Sequence, residues 1–282
     1  MSKYVFIADY FVDEVLGGGE LNNEELINIL RINNEVISIK SKLVTESFIR
    51  DHQTSNFIIA NFMELKLSCR DLLQDKKYII YEHDHKYLKT RNPASYPDYL
   101  APEDQIINYD FYKNANMILC QSNFHKSILQ KNLKLDNVTS LSGNLWSEEA
   151  LDKLEVLSYA EKKDEASILD SNIPHKNTID AIKFCNIKEI KYNRVKSKSY
   201  TEFLQLLGSN KTLVFFPKTP ETLSRVVVEA RMMGMSVTTN KNVGATRENW
   251  FELKGLPLIN VMREKRTTIL DTVENVFHEQ SF

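Results

Sequence analysis

The sequence predicts an α/β protein of two domains, each a parallel sheet covered by helices on both faces. Three observations carry this. Short apolar runs of strand length alternate with helical segments from residue 3 to residue 143, the pattern of successive βαβ units. A charged interval at 145–166 interrupts this rhythm, which then restarts and continues to a terminal helix. The length of 282 residues suits one large domain or two of ordinary size.

The elements follow in order. KYVFIADYF (3–11) reads as a buried strand, GGGE (17–20) as a turn, and LNNEELINILRIN (21–33) as a helix. EVISIK (35–40) and NFIIANF (56–62) are strands, and MELKLSCRDLLQD (63–75) carries apolar residues at helical spacing. KYIIYEH (77–83) is a strand, IINYDFYKNA (106–115) a helix, NMILCQS (116–122) a strand and FHKSILQKNL (124–133) a helix. NVTSLSG (137–143) closes the first series. LWSEEALDKLEVLSYAEKKDEA (145–166) is charged and helical, and reads as a linker region. SILDS (167–171) and NTIDAIKFC (177–185) restart the series. IKEIKY (187–192) is a strand, SYTEFLQLLG (199–208) a helix, and TLVFFP (212–217) and MSVTTN (235–240) strands. TTILDTVENVFHEQ (267–280) is the terminal helix. The expected domains are 1–150 and 151–282, with the last helix a candidate to pack back on the first.

Composition narrows the class. The net charge of −2 excludes a whole-molecule basic field for nucleic acid, though not a local patch. Cys69, Cys120 and Cys185 are scattered and odd in number, which suits reduced thiols in a cytosol rather than a disulfide framework or a zinc site. The N-terminal run is too short for a signal peptide, and no apolar stretch approaches membrane-spanning length. The expected location is cytoplasmic.

Four motifs stand out. GGGE opens the first helix, where glycines permit close approach and the helix start suits phosphate; a flexible turn is the plain alternative. It is neither a dinucleotide fingerprint nor a Walker motif. In YEHDHKYLKTRNP (81–93), His83, Asp84 and His85 leave the end of a strand, where sites of open α/β sheets form. Adjacent strand residues alternate faces, which disfavours a metal site; a general base or sugar-hydroxyl partner at His83 or His85 fits better. Lys86, Lys89 and Arg91 add positive charge that suits an anionic acceptor or a solvated surface. Lys176 precedes a helix in the second domain, a natural position for a diphosphate partner. In PETLSRVVVEARMMG (220–234), Glu221 and Glu229 share a face only if Glu221 precedes the helix, since eight residues turn it by about 800°. The amides of Thr222, Leu223 and Ser224 would then start the helix and meet an anion.

Taken together these motifs resemble retaining glycosyltransferases of the GT-B fold, and among them family 4-like enzymes. The match rests on ETLSRVVVEARMMG, on VTTNKNVGATRE with Gly244 and Glu248, on the glycine loop, and on NMILCQSNFHKSIL. The resemblance implies two Rossmann-like domains facing a central cleft and transfer of a hexose or pentose from a nucleoside-diphosphate sugar to an acceptor hydroxyl with retention. It assigns Glu229 to the ribose, Glu221 to the donor sugar, the following amides and Lys176 to the diphosphate, Gly18 and Gly19 to donor or acceptor, and His83 to the sugar. Asp84, His85, Lys86 and Arg91 become acceptor candidates. No metal or other cofactor is expected. The family's arginine shortly before the lysine is missing from SILDSNIPHK, leaving Arg225, Arg231 and Arg247 as replacements. The acceptor is a glycan, a lipid-linked or small molecule, or hydroxymethylated phage DNA. The DNA alternative rests on residues 86–91 and on KEIKYNRVKSK (188–198), with its five Lys or Arg. A non-catalytic nucleotide-sugar-binding or interaction protein is the alternative from another class.

Overall fold

The computed structural model describes residues 2–278. Its elements, in chain order, are β1 (Lys3–Ala8), α1 (Gly18–Arg31), β2 (Glu35–Lys40), α2 (Glu46–Asp51), β3 (Asn56–Ile59), α3 (Leu67–Leu73), β4 (Tyr78–Glu82), α4 (Tyr109–Lys113), β5 (Met117–Cys120), α5 (Asn123–Leu133) and β6 (Val138–Ser140). There follow α6 (Glu148–Ser158), β7 (Lys163–Leu169), α7 (Thr178–Ile187), β8 (Tyr192–Val195), α8 (Tyr200–Gly208), β9 (Asn210–Phe215), α9 (Arg225–Met232), β10 (Ser236–Thr239) and α10 (Leu256–His278). Two compact units result, Met1–Leu145 with Lys265–Phe282, and Trp146–Glu264.

The first unit holds a six-stranded sheet in the order β2-β1-β3-β4-β5-β6. Every pair is parallel, with Val5 opposite Ile37 on one side and Phe57 on the other. Alternation along the strands divides the apolar residues between two faces. Val5, Ile7, Phe57, Ile59, Tyr78 and Ile80 pack with Ile49, Leu73, Phe111 and Leu129 of the helices. Tyr4, Phe6, Ile58, Ile79 and Tyr81 pack with Leu26 and Leu30 of α1 and with Ile269, Val273 and Phe277 of α10. A sheet buried on both faces explains why its strands read as continuous apolar runs.

The second unit repeats the plan in a four-stranded parallel sheet, β10-β9-β7-β8. Leu213 and Phe215 of β9 face Leu151, Leu154, Leu204, Val227, Val228 and Leu258. Ala166, Ile168 and Val214 face Ala181 and Cys185 of α7. In both sheets the strand order reverses beside the first strand, between β1 and β3 and between β7 and β9. Successive crossovers there run to opposite sides and leave a crevice at the carboxyl ends.

Several expectations need correction. The 145–166 stretch is no linker: Trp146, Leu151 and Leu154 are fully buried in the second unit's core, and β7 already starts at Lys163. IKEIKY is not a strand; α7 runs to Ile187, and the strand is Tyr192–Val195 at the sheet edge. The basic 188–198 run therefore borders an edge strand, where charge discourages pairing with other chains. Its Arg194 pairs with Asp170. The terminal helix begins at Leu256 rather than 267. Of its expected end, Glu279 and Gln280 lie outside the described residues.

Candidate active site

In the second unit, Lys176 follows β7 and Glu221 follows β9, so both lie at the carboxyl-end crevice where the strand order reverses. Lys176 Nζ donates to Glu221 Oε1 at 2.8 Å, and both side chains remain partly exposed, at 28% and 15%. Backbone bonds hold the two loops together, since Lys218 N donates to His175 O at 2.8 Å and Asn177 Nδ2 to Phe216 O at 2.8 Å. Glu221 itself is fixed by Asn242 and Gly244 on either side, with N–H to Asn242 O at 2.7 Å and Gly244 N–H to its carbonyl at 2.9 Å. Glu221 stands ahead of α9, as a shared face with Glu229 requires. Helical geometry begins only at Arg225, so Thr222, Leu223 and Ser224 precede the helix rather than forming its first turn. Leu223 is fully buried in the core. Ser224 occupies the N-cap position at φ +77°, a left-handed conformation that strains a residue with a Cβ. Its buried hydroxyl has no partner.

Glu229 sits in a tight polar pocket. Its Oε1 accepts from Trp146 Nε1 at 3.0 Å and from Tyr200 Oη at 2.6 Å, and pairs with Arg225 Nε at 3.0 Å. The Arg225 guanidinium lies 4.3 Å from the Trp146 ring centroid. Burial, with the Glu229 charge adding, pushes the Tyr200 hydroxyl above its ordinary range. Sequence reasoning missed Trp146 and Tyr200 entirely. The tryptophan fell inside the supposed linker, and nothing local marked either residue. Of the replacement arginines, Arg225 faces Glu229, Arg231 donates to Glu252 O at 2.7 Å, and Arg247 is exposed on a turn.

In the first unit, α1 begins at Gly18, and Gly19 packs against His83. His83 Nε2 lies 2.5 Å from Asn23 Oδ1, and Gln121 Nε2 donates to its Nδ1. This pattern fits the neutral ring protonated at Nε2. Burial, reinforced by Lys86 and opposed by Asp84, pulls its pKa to about 3. His83 is thus a neutral, positioned imidazole rather than a poised general base. His85 is buried against Tyr87 and His125, with Nδ1 3.1 Å from the Tyr87 hydroxyl, and burial pulls it to about 4.

The cluster 86–91 departs most from the sequence reading. Lys86 is fully buried, not a surface cation, and pairs with Glu82 and with Asp84 at 3.0 Å. Arg91 also pairs with Asp84, and Tyr112 donates to Glu82. Burial alone would raise the Asp84 carboxyl, but Lys86 and Arg91 hold it below the usual range. The apolar look of β4 gave no sign that its last residue, Glu82, ends in a buried ion network. Among the described residues no three His, Cys, Asp or Glu side chains group as a metal site would need. No described helix is long and apolar enough to cross a membrane.

No protein family and no curated protein matches the sequence. Solved structures do. Anabaena HepE in complex with UDP and glucose superposes with a TM-score of 0.57 at 13% identity, over 98% of this chain and 92% of that one. The same protein in complex with UDP-glucose gives 0.55 at 14% identity, with 98% and 92% covered. WaaG, a glycosyltransferase involved in lipopolysaccharide biosynthesis, gives 0.50 at 11% identity, with 99% and 94% covered. At such identities the likeness is one of fold. The chain has the GT-B fold, with two Rossmann-like units.

Proposed function

We propose that this protein is a glycosyltransferase that moves a sugar from a UDP-sugar to an acceptor hydroxyl with retention, and that its second unit holds the donor. The observation that carries this is the Lys176–Glu221 pair at the β7/β9 crevice, 2.8 Å apart and partly exposed. UDP and UDP-glucose bound to a protein of the same fold support the choice of donor. Negative charge grows on the diphosphate as the bond to the anomeric carbon breaks, and Lys176 supplies fixed positive charge for it. Glu221 accepts hydrogen bonds from the sugar's hydroxyls once Lys176 turns to phosphate. Resident metal plays no part in this reading. Glu229 keeps the ribose in this reading, its carboxylate held in place through Oε1 by Trp146, Tyr200 and Arg225.

Three of the eight basic residues in the clusters that suggested DNA are paired internally, Lys86 by Glu82 and Asp84, Arg91 by Asp84, and Arg194 by Asp170, and Lys86 is buried away from the surface altogether. The acceptor in this reading is therefore a smaller hydroxyl compound. A thermal-shift panel of UDP-, GDP-, ADP- and CMP-sugars tests the proposal, because a ligand at 100 times its Kd stabilises the native state by about 2.7 kcal/mol. UDP and UDP-glucose should raise the melting temperature, Lys176→Gln should abolish both shifts, and Glu221→Gln should abolish only the excess of UDP-glucose over UDP. A flat response to every nucleotide would refute it. Binding without transfer or donor hydrolysis would leave the non-catalytic alternative standing.

A further inference from the structure

The donor site proposed above is short of positive charge. Lys176 shares its ammonium with Glu221 at 2.8 Å, so the two are neutral as a pair. Arg225 is engaged by Glu229, and Arg231 donates to the Glu252 carbonyl at 2.7 Å. His175, next to Lys176, adds no charge at neutral pH, because burial and then the Lys176 charge pull its ring below the ordinary range. A departing diphosphate calls for more fixed positive charge than this.

Lys218 stands where that charge is needed. It is the third residue past β9, at the same carboxyl-end crevice that Lys176 enters from β7. Its N–H donates to His175 O at 2.8 Å, so its backbone lies against the residue preceding Lys176. The carbonyl just ahead of it, Pro217 O, accepts from Asn240 Nδ2 at 2.9 Å and from Asn242 Nδ2 at 3.0 Å. Asn242 N–H in turn donates to Asn240 Oδ1 at 3.0 Å, which ties the two asparagines together. The backbone of this lysine is thus held by the loops after β7 and β10. Its side chain is exposed and, among the described residues, pairs with no carboxylate. Asp180, in the first turn of α7, feels its charge: a bond from Asn177, then the charges of Lys183 and Lys218, hold that carboxyl below its ordinary range. Asp180 is engaged by Asn177 Nδ2 at 2.9 Å and by Lys183 at 3.7 Å, which leaves the Lys218 ammonium unclaimed beside that turn. A backbone fixed in advance lowers the ordering cost when such a side chain closes on an anion. We infer that Lys218 is a second cation of the donor site and binds the diphosphate together with Lys176, from the β9 side of the crevice. Naming the ligand a nucleoside diphosphate rests on the glycosyltransferase reading; an anion site for a pyrophosphate group does not. Nothing local in the sequence marks this lysine, two positions ahead of PETLSRVVVEARMMG.

The test uses the full chain and isothermal titration with UDP and with inorganic pyrophosphate. The wild type should bind both. Lys218→Gln should weaken both about tenfold, the scale of one hydrogen bond to a charged group. Lys218→Arg, which keeps the charge, should retain most of the affinity. The deficit of Lys218→Gln should shrink at about 0.5 M salt, where an exposed charge is screened. Melting temperatures without ligand should match the wild type in both variants, since the Lys218 side chain is exposed and unpaired, and this shows that they fold. Wild-type affinity for UDP and pyrophosphate in Lys218→Gln overturns the inference and leaves the donor reading in place. Pyrophosphate binding that depends on Lys218, in a chain that binds UDP no more tightly than pyrophosphate, refutes the glycosyltransferase reading and keeps the anion site. No binding of either probe by the wild type overturns both.

Discussion

Replacing Arg225 and Glu229 separately and together measures how much of the second unit's stability their pair carries. The Arg225 and Glu229 side chains are only 9% and 3% exposed, with Nε and Oε1 3.0 Å apart. Removing one member of a buried pair generally costs about 3–5 kcal/mol, because the other charge is left uncompensated. Arg225→Met should fall at or below the lower end, about 2–3 kcal/mol, since Trp146 and Tyr200 still donate to the Glu229 carboxylate. Glu229→Gln should cost more, about 3–5 kcal/mol, because it leaves a guanidinium against the Trp146 ring without a counter-charge. The double variant removes both charges, so its loss should fall short of the sum by about 2 kcal/mol. Urea unfolding followed by tryptophan fluorescence reads this directly, because Trp146 and Trp250 are the chain's two tryptophans and both belong to the second unit. A coupling below about 0.5 kcal/mol, the level of independent sites, would refute the reasoning.

Four further outcomes follow from the same structure. Lys86→Met should destabilise the first unit by about 3–5 kcal/mol in urea, and adding Glu82→Gln should recover part of that loss; no recovery would mean that the pairing is not what matters. The melting temperature should fall as pH drops from about 6.5 towards 4, because His83, His85 and His125 are held neutral by burial in the folded state while the unfolded chain takes up protons from about 6.5 downward. Each histidine contributes about 1.4 kcal/mol per pH unit across that window, and a flat profile would contradict the buried neutral rings. Ser224→Gly should raise stability by about 1 kcal/mol by relieving the +77° backbone, and a loss in urea titration would show that the conformation is not strained. EDTA should leave the melting shift with UDP unchanged, whereas its loss on chelation would place a divalent ion in donor binding.

The doubly wound plan was legible because strands buried on both faces leave unbroken apolar runs, and the helices between them leave a different period. What misled was charge. Residues 145–166 looked like a linker because glutamates and lysines outnumber the large buried anchors, among them Trp146, Leu151 and Leu154. Lys86 looked like surface because a buried lysine is visible only through partners placed by tertiary structure, here Glu82 and Asp84. Lys176 and Glu221, 45 positions apart, were both chosen from sequence, but nothing local shows that they touch. Their meeting follows from the order of the strands, a property of the sheet rather than of either motif. The grip of Trp146, Tyr200 and Arg225 on Glu229 was invisible for the same reason.

The last helix has a consequence for biosynthesis. Leu256–Glu264 of α10 belong to the second unit, and the helix continues from Lys265 as part of the first. Ile269, Val273 and Phe277 supply one wall of a core whose other walls, Tyr4, Phe6 and Leu26, are synthesised long before them. Of the two units, the one that starts to emerge earlier is therefore the last to be finished. Its β-strands can assemble early, but the face that α1 covers in part stays incomplete until α10 leaves the exit tunnel. The second unit, contiguous in the chain, is complete before that point. A nascent chain stalled before residue 265 should thus show a protease-resistant second unit beside a first unit still open to cleavage and to chaperones.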